Sequence, residues 1–465
     1  MKAAELNEQS EPGKPLSLSG RVRAALTSEA APILVAELVF NFGFFAVVPF
    51  IALSLSNDFL VGAAAIGLVL GVRSLGQRGM FLVGGLAADR LGARWVILFG
   101  IAIRVAGFLS LSVSLLLPQP SFWLFVVGTF LTGLGGAFFE PGFQIIIAAA
   151  DVKKPRRITL FAWLTVTAEI GSVLGPVVGS FLIDIPTEVN GFALVAGYGA
   201  ALFALVGVVL WFVLPKKREY ADVATGPIEL PTAAGPDATV GPTGLSAPEA
   251  GGGSTPSRAK RKRHGRNLPP LRFFVFSALN ASDGLAYNQL YLTIPLLLAR
   301  VGHDAKLLGL IFAWVSILTF AFQLPIARLG TKLGAPTALR LGYLVTALGF
   351  VALAIAGYTG ADSSFVVIAG ALSLVILGHL SVNPAALSSV PLMSSEKNRG
   401  AYFGVLASLG GVLVLTMNPL IGWIFEAPNG VGDYAPWLFM AVMSLISALG
   451  SPRALRACLP PRESV

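Results

Sequence analysis

Apolar runs of roughly 20 residues or more recur along this chain from Pro32 to Leu449, parted by short polar connections. That is the length an α-helix needs to cross the hydrocarbon core of a bilayer, and a buried soluble core has no use for so many such runs. The runs predict spans at roughly 32–55, 62–86, 95–117, 121–149, 157–184, 190–214, 271–298, 306–330, 336–357, 364–391, 399–425 and 434–452.

The connections alternate in charge. One set carries Arg90 and Arg94; Lys153, Lys154, Arg156 and Arg157; Lys216, Lys217 and Arg218; Lys332; Lys397 and Arg399; Arg453 and Arg456. The other carries Asp58, Asp184, Glu188, Asp362, Glu426 and Asp433, with Arg300 and Lys306 as its basic exceptions. Basic loops stay in the cytoplasm, so the first set and both termini are expected there, in agreement with an even number of spans.

Residues from about Glu219 to Asn267 change character and are rich in Pro, Gly, Ala, Ser and Thr. Such a stretch cannot bury a core and is expected to be a flexible cytoplasmic linker. It ends in a basic cluster, Arg258 to Arg266. The cluster reads as a topology signal before the seventh span; anionic lipid headgroups are its alternative partner. The expected organisation is a polar tail (1–28), a six-helix bundle (29–216), the linker (217–269), a second six-helix bundle (270–452) and a cytoplasmic C-terminal tail (453–465).

Composition fits this picture. Of 465 residues, 55% are hydrophobic and 12% charged, about half the charge of a soluble protein. The net charge of +9 is spread over connections, which points to topology and not to nucleic acid. One cysteine, Cys458, cannot form an internal disulfide, and no Cys/His cluster has metal-ligand spacing; no cofactor is expected. No apolar stretch with a small-residue cleavage site follows the first 25 or so residues, so the first span is expected to serve as its own uncleaved signal.

The two halves repeat. Gly67, Gly92, Gly100 and Gly107 recur as Gly309, Gly334, Gly342 and Gly349, and Glu140-Pro141 recurs as Asn383-Pro384. Matched Gly and Pro carry information because they set helix approach and bending in a bilayer. Two parallel six-span halves joined by a long linker imply a transporter built from repeats.

After the second span the chain reads Gly85-Leu-Ala-Ala-Asp89-Arg90-Leu-Gly92-Ala93-Arg94. This resembles the signature of the major facilitator superfamily, with Ala87 for the usual Leu and Ala93 for the first of two basic residues. The resemblance implies an all-α membrane protein of the major facilitator fold: twelve transmembrane helices in two pseudo-symmetric six-helix bundles. It also implies that Asp89 latches the cytoplasmic side by meeting the eleventh span's N-terminus near Arg399, where the helix dipole favours an anion. The second-half copy has Thr331 in place of Asp89, so such a latch is asymmetric. The fifth span's Gly171-x-x-x-Gly175-Pro176-x-x-Gly179 is similar to the motif of drug:proton antiporters in this superfamily, with Ser180 for its final Gly. It also reads as a plain small-residue packing stripe. Thr129 replaces the Arg usual before Gly133-Leu-Gly135, a departure from the ordinary antiporter relay. Outside tail and linker the chain resembles the MdtH branch of multidrug resistance proteins, through Gly71-Val72-Arg73-x-x-x-Gln77, Gly43-Phe44-Phe45 and Thr132 to Gly136 before Phe139-Glu140-Pro141.

Ionisable residues inside spans are costly in lipid and point to function. Glu37 and Asn41 lie one turn apart on the first span, as do Glu140 and Gln144 on the fourth. Glu169 is mid-span on the fifth; Asp283 lies on the seventh with Asn280, Tyr287 and Asn288. The resemblance puts the first, fourth, seventh and tenth spans around a central cavity, so Glu37, Glu140 and Asp283 are expected to face it. Each acid has a structural alternative, pairing with Arg73 or a backbone group. Arg104 is expected to snorkel or pair structurally, and His379 to be structural. Phe42, Phe44, Phe45, Phe138, Phe139 and Tyr287 are candidates for stacking on a substrate or packing against helices or lipid.

The sequence therefore predicts a monomeric, proton-coupled exporter of drug-like or amphiphilic molecules, in the inner membrane, working by alternating access. Its partners are a small-molecule substrate, protons and the bilayer, with no nucleic acid. Transport of a metabolite, sugar, lipid or siderophore is the first alternative, and a sensor on a transporter scaffold the second. No phosphate-binding Gly-rich loop suggests ATP drive, and no clustered nucleophile or metal set suggests an enzyme.

Overall fold

The computed structural model describes residues 31–149, 154–185, 189–214, 269–302, 305–394 and 399–459. The N-terminal tail, the linker up to residue 268, the end of the C-terminal tail and the side chains of Asp89, Glu140, Gln144 and Arg399 lie outside the described residues.

The helices follow the apolar runs in order. They are α1 (Ala31–Asn57), α2 (Ala63–Ser74, extended by Phe81–Leu91), α3 (Ala93–Leu116), α4 (Phe122–Ala149), α5 (Lys154–Ile183) and α6 (Gly191–Val213). The second half holds α7 (Leu271–Asn288, then Thr293–Arg300), α8 (Ala305–Leu333), α9 (Ala335–Thr359), α10 (Phe365–Met393), α11 (Arg399–Phe425) and α12 (Val431–Cys458). Among the described residues eleven helices are each long and apolar enough to cross a membrane. The exception is α7, which breaks after Asn288. Its two pieces nevertheless join the two faces: Arg272 donates to the Ala457 carbonyl at the end of α12 (3.2 Å), and Arg300 meets Asp433 at the start of α12 (2.6 Å).

Local chemistry explains the irregularities. Pro49 has no N–H to give, and α1 tightens there into a 3-10 turn, Val48–Phe50. In α2 the stretch Leu75–Gly79 widens into a π turn, a feature that recurs at functional sites. Gly92 and Gly334, matched in the repeat, both take positive φ (+88° and +78°) and turn one helix straight into the next, a conformation strained for any residue with a Cβ. Freed backbone at the α7 break lies beside a buried polar cluster: Gln289 donates to the Leu285 carbonyl (3.0 Å), and Thr293 to the Gln289 carbonyl (3.3 Å).

The repeat is visible in packing. A Cβ on Gly100 or Gly107 would run into α4 at Gly135 and Thr132; one on Gly342 or Gly349 would run into α10 at Gly378 and Ala371. Gly67 abuts α11 at Asn418, and its match Gly309 abuts α5 at Pro176 and Ser180. The halves thus meet through α2 against α11 and α5 against α8. Several helices run past the predicted spans, α2 to Leu91 and α12 to Cys458, because a helix continues into the interfacial region after its apolar stretch ends.

Candidate functional site

A cavity of about 420 Å³ opens between the halves. It is lined by Glu37, Phe40, Asn41, Phe44 and Phe45 of α1, Arg73, Ser74, Gln77, Arg78 and Phe81 of α2, Arg104 of α3 and Phe139 of α4. Tyr287, Asn288, Tyr291 of α7 and Ala407 of α11 complete it. Behind this wall Phe40 packs on Phe139, Phe143 and Phe203, with ring centroids 5.0, 5.8 and 4.7 Å apart. This aromatic layer gives the cavity an apolar side next to its polar groups, the mixed character of a small-molecule site.

Glu37 and Asn41 lie in the wall, and the Asn41 amide donates to the Glu37 carboxylate (3.0 Å) and carbonyl (2.9 Å). Arg73 is 3% exposed, gives one hydrogen bond to Gln77 (3.2 Å), and leaves its Nε without a partner. Arg104 takes the structural pairing of its two expected roles and does not snorkel. It is 3% exposed, donates from Nε to the Thr132 carbonyl (3.2 Å), and sits over the rings of Phe139 and Phe44, 4.5 and 4.7 Å from their centroids. Cation–π attraction holds it in the bundle. Phe44, Phe45, Phe139 and Tyr287 reach the cavity. Phe138 instead packs edge-on against Phe99, which is 56% exposed on the outer surface.

The structure places Asp283 and His379 together. Both Asp283 oxygens lie 3.0 and 2.9 Å from His379 Nδ1, with side-chain exposures of 7% and 19%. The pair stands outside the cavity wall, behind Tyr287, whose ring lies 4.7 Å from the imidazole. Residue spacing gave no sign of it, since 96 residues separate the partners. Glu169 lies between the halves, where Ser172 donates to its carboxylate (3.2 Å) and contacts Ser316 of α8 (3.2 Å). Asn288 is tied into a chain across the halves: it donates to Ser74 of α2 (3.1 Å) and accepts from Asn418 of α11 (2.7 Å).

On the face that carries the acidic connections the halves are shut. Glu426, at the end of α11, accepts from the Ala63 N–H at the first turn of α2 (2.6 Å). Orphan N–H groups at a helix start favour such an anion. Lys306 of α8 faces Asp184, just past the end of α5, across the halves (3.7 Å), while Arg300 ties Asp433 and the Phe425 carbonyl together within the second half. Below them, α2 and α11 touch through Gly67 and Gly71, and α5 and α8 through Gly309.

The fifth-span stripe packs against a neighbouring helix. Gly171, Gly175 and Gly179 face the α1 backbone at Leu38, Phe42 and Ala46, while Pro176 and Ser180 face Gly309. The stripe therefore holds α5 against α1 while the same helix meets the other half. Ser180, in place of a final Gly, points its hydroxyl at the Val177 carbonyl (2.8 Å). In the loop motif, Arg94 donates to the carbonyls of Trp211 (2.6 Å) and Leu214 and closes the end of α6. Arg90 is exposed, and nothing lies within 4 Å of a Cβ built on Gly85.

Comparison with known proteins agrees with this architecture. The family model described as Major Facilitator Superfamily matches residues 33–304 and 276–464. The chain is similar to an uncharacterized MFS-type transporter of Mycobacterium tuberculosis (strain ATCC 25618 / H37Rv), 26% identical over 90% of this chain and 92% of that one. It is similar to multidrug resistance protein MdtH of Klebsiella pneumoniae (strain 342), 25% identical over 92% of this chain and 96% of that one. Among solved structures, a bacterial homolog of the human lysosomal transporter Spinster superposes with TM-score 0.67 at 14% identity, covering 96% of this chain and 100% of that one. A D-xylose-proton symporter gives TM-score 0.66 at 14% identity, covering 90% and 96%.

Proposed function

This chain belongs to the Major Facilitator Superfamily, and from that premise we propose that it is a proton-coupled exporter of drug-like or amphiphilic molecules. It is a multi-pass membrane transporter, not an enzyme. The observation that carries the finer reading is the cavity between the halves, walled by aromatic rings and containing the carboxylate of Glu37. Aromatic walls accept flat amphiphilic bodies of varied shape. The relatives named multidrug resistance protein MdtH support the same substrate class.

Transport proceeds by alternating access. With the acidic face closed through Glu426, the Lys306–Asp184 pair and the glycine contacts, the cavity serves the opposite face, which carries the basic loops and is cytoplasmic in this reading. Rocking about the α2–α11 and α5–α8 contacts would break the Glu426 cap and open the other side. Glu37 is the proton carrier, binding a proton from one side and releasing it to the other as its surroundings change. The Asp283–His379 pair, 2.9 Å apart behind the wall, is a second candidate for coupling.

Proteoliposomes with an imposed pH gradient and a panel of fluorescent dyes test this. Wild-type protein should drive uphill efflux, and Glu37→Gln should abolish it while leaving exchange down the substrate's own gradient partly intact. Unchanged pH-dependent efflux in Glu37→Gln would remove Glu37 from the coupling step. Absence of efflux for every dye would remove the drug-export reading.

A further inference from the structure

The cavity wall has a charge balance that hydrophobic drug binding does not explain. Among the described residues three arginines line it, Arg73, Arg78 and Arg104, and one acid, Glu37. Arg73 is the decisive one. Its side chain is 3% exposed and has five N–H donors to place. Gln77 takes one, Nε meets nothing, and the remaining company is the ring faces of Tyr291 and Phe44, 5.4 and 5.8 Å away. Ring faces soften the burial of a cation but accept none of its hydrogen bonds. A buried guanidinium without an anion is costly, and here it borders empty space sized for a ligand.

Local backbone brings a second arginine to it. Residues five apart on an α-helix point about 140° away from each other. The π turn at Leu75–Gly79 winds more slowly, so Arg73 and Arg78 come round toward one side and both line the cavity. Arg78 reaches past Gly284 of α7 and Gly411 of α11. It therefore stands between the halves, where a bound anion would contact both.

We infer that the cavity binds an amphipathic organic anion, a carboxylate joined to a flat ring system, with the carboxylate on Arg73 and Arg78 and the ring among Phe44, Phe45 and Tyr291. This rests on the cavity being the substrate site and names the charge of what enters it. Arg73 and Arg78 both border the cavity, and guanidinium groups form charge-assisted hydrogen bonds with a carboxylate. The inside-negative membrane potential pushes an anion outward, so the charge suits export.

Binding to purified protein tests this without any gradient, using 2-naphthoate and its neutral isostere 2-naphthamide. Wild-type protein should bind naphthoate about tenfold or more tighter, the worth of one charge-assisted hydrogen-bond set. Arg73→Gln should erase that preference while naphthamide affinity stays unchanged, which also shows that the variant is folded. Arg73→Lys keeps the charge without the fork and should retain only part of the preference. Arg78→Gln should reduce the preference severalfold and provides an independent arm. Equal affinity of wild-type protein for the two compounds overturns the inference, and so does a preference that survives both glutamine variants. A protein that prefers naphthoate yet shows no proton-driven efflux refutes the coupling and leaves the anion site standing.

Discussion

The Glu426 contact with α2 offers the sharpest test of how the halves close. Its carboxylate accepts from the Ala63 N–H at 2.6 Å, and it is the end of α11 in one half that meets the start of α2 in the other. The bond exists only while the acidic face is shut. A charge-assisted hydrogen bond to a helix start contributes about 1.5–3 kcal/mol where buried and less at a wet surface. Glu426 is solvent-exposed, so about 1 kcal/mol is the reasonable figure, close to a fivefold shift in the ratio of closed to open. Glu426→Ala should raise the open population by about that factor, and Glu426→Gln, which keeps an acceptor but loses the charge, by less. Spin labels on Leu60, which is 84% exposed, and Val366, which is 75% exposed, sit on this face in different halves. Replacing Cys458 first removes the competing thiol. Pulsed dipolar distances between the labels should gain a longer component in Glu426→Ala. Distance distributions identical to the parent, in detergent and in lipid, would show that the cap does not hold the face closed.

Gly67→Ala places a Cβ against the backbone carbonyl of Asn418, which should weaken the same closure by about 1–3 kcal/mol and cut transport; the matched Gly309→Ala should do likewise through Pro176 and Ser180. Arg94→Ala exposes the carbonyls of Trp211 and Leu214 and should lower the melting temperature by a few degrees while retaining most transport per folded molecule. If transport is lost at unchanged stability, the loop motif gates through Arg94. Asp283→Asn removes the carboxylate that faces His379 at 2.9 Å and should lower uphill efflux severalfold while exchange down the substrate's own gradient persists; unchanged uphill efflux in both Asp283→Asn and His379→Gln would take the pair out of coupling.

Much of this protein is legible in its sequence, because the bilayer imposes the rule. Every backbone polar group in lipid must be satisfied within its own helix, so run length alone predicts the helices, and alternating loop charge predicts which connections share a face. The matched glycines Gly67 and Gly309 announced the half-repeat because contact with a neighbouring backbone leaves no room for a side chain, whatever surrounds it.

Helix rotation is another matter. Lipid and protein interior are both apolar, so a membrane helix has little amphipathic pattern to show which side faces inward. Phe138 and Phe139 are neighbours with the same chemistry, yet one packs outward on Phe99 and the other lines the cavity. The same ignorance hid partners far apart in the chain. Asp283 with His379, Glu426 with the start of α2, and Asn288 between Ser74 and Asn418 depend on how helices face each other. Sequence marked Arg73 as an expensive residue in a membrane. Only the packed bundle shows that its Nε is buried without a partner and that the residue borders the cavity, because a missing partner is a property of every helix around the site at once.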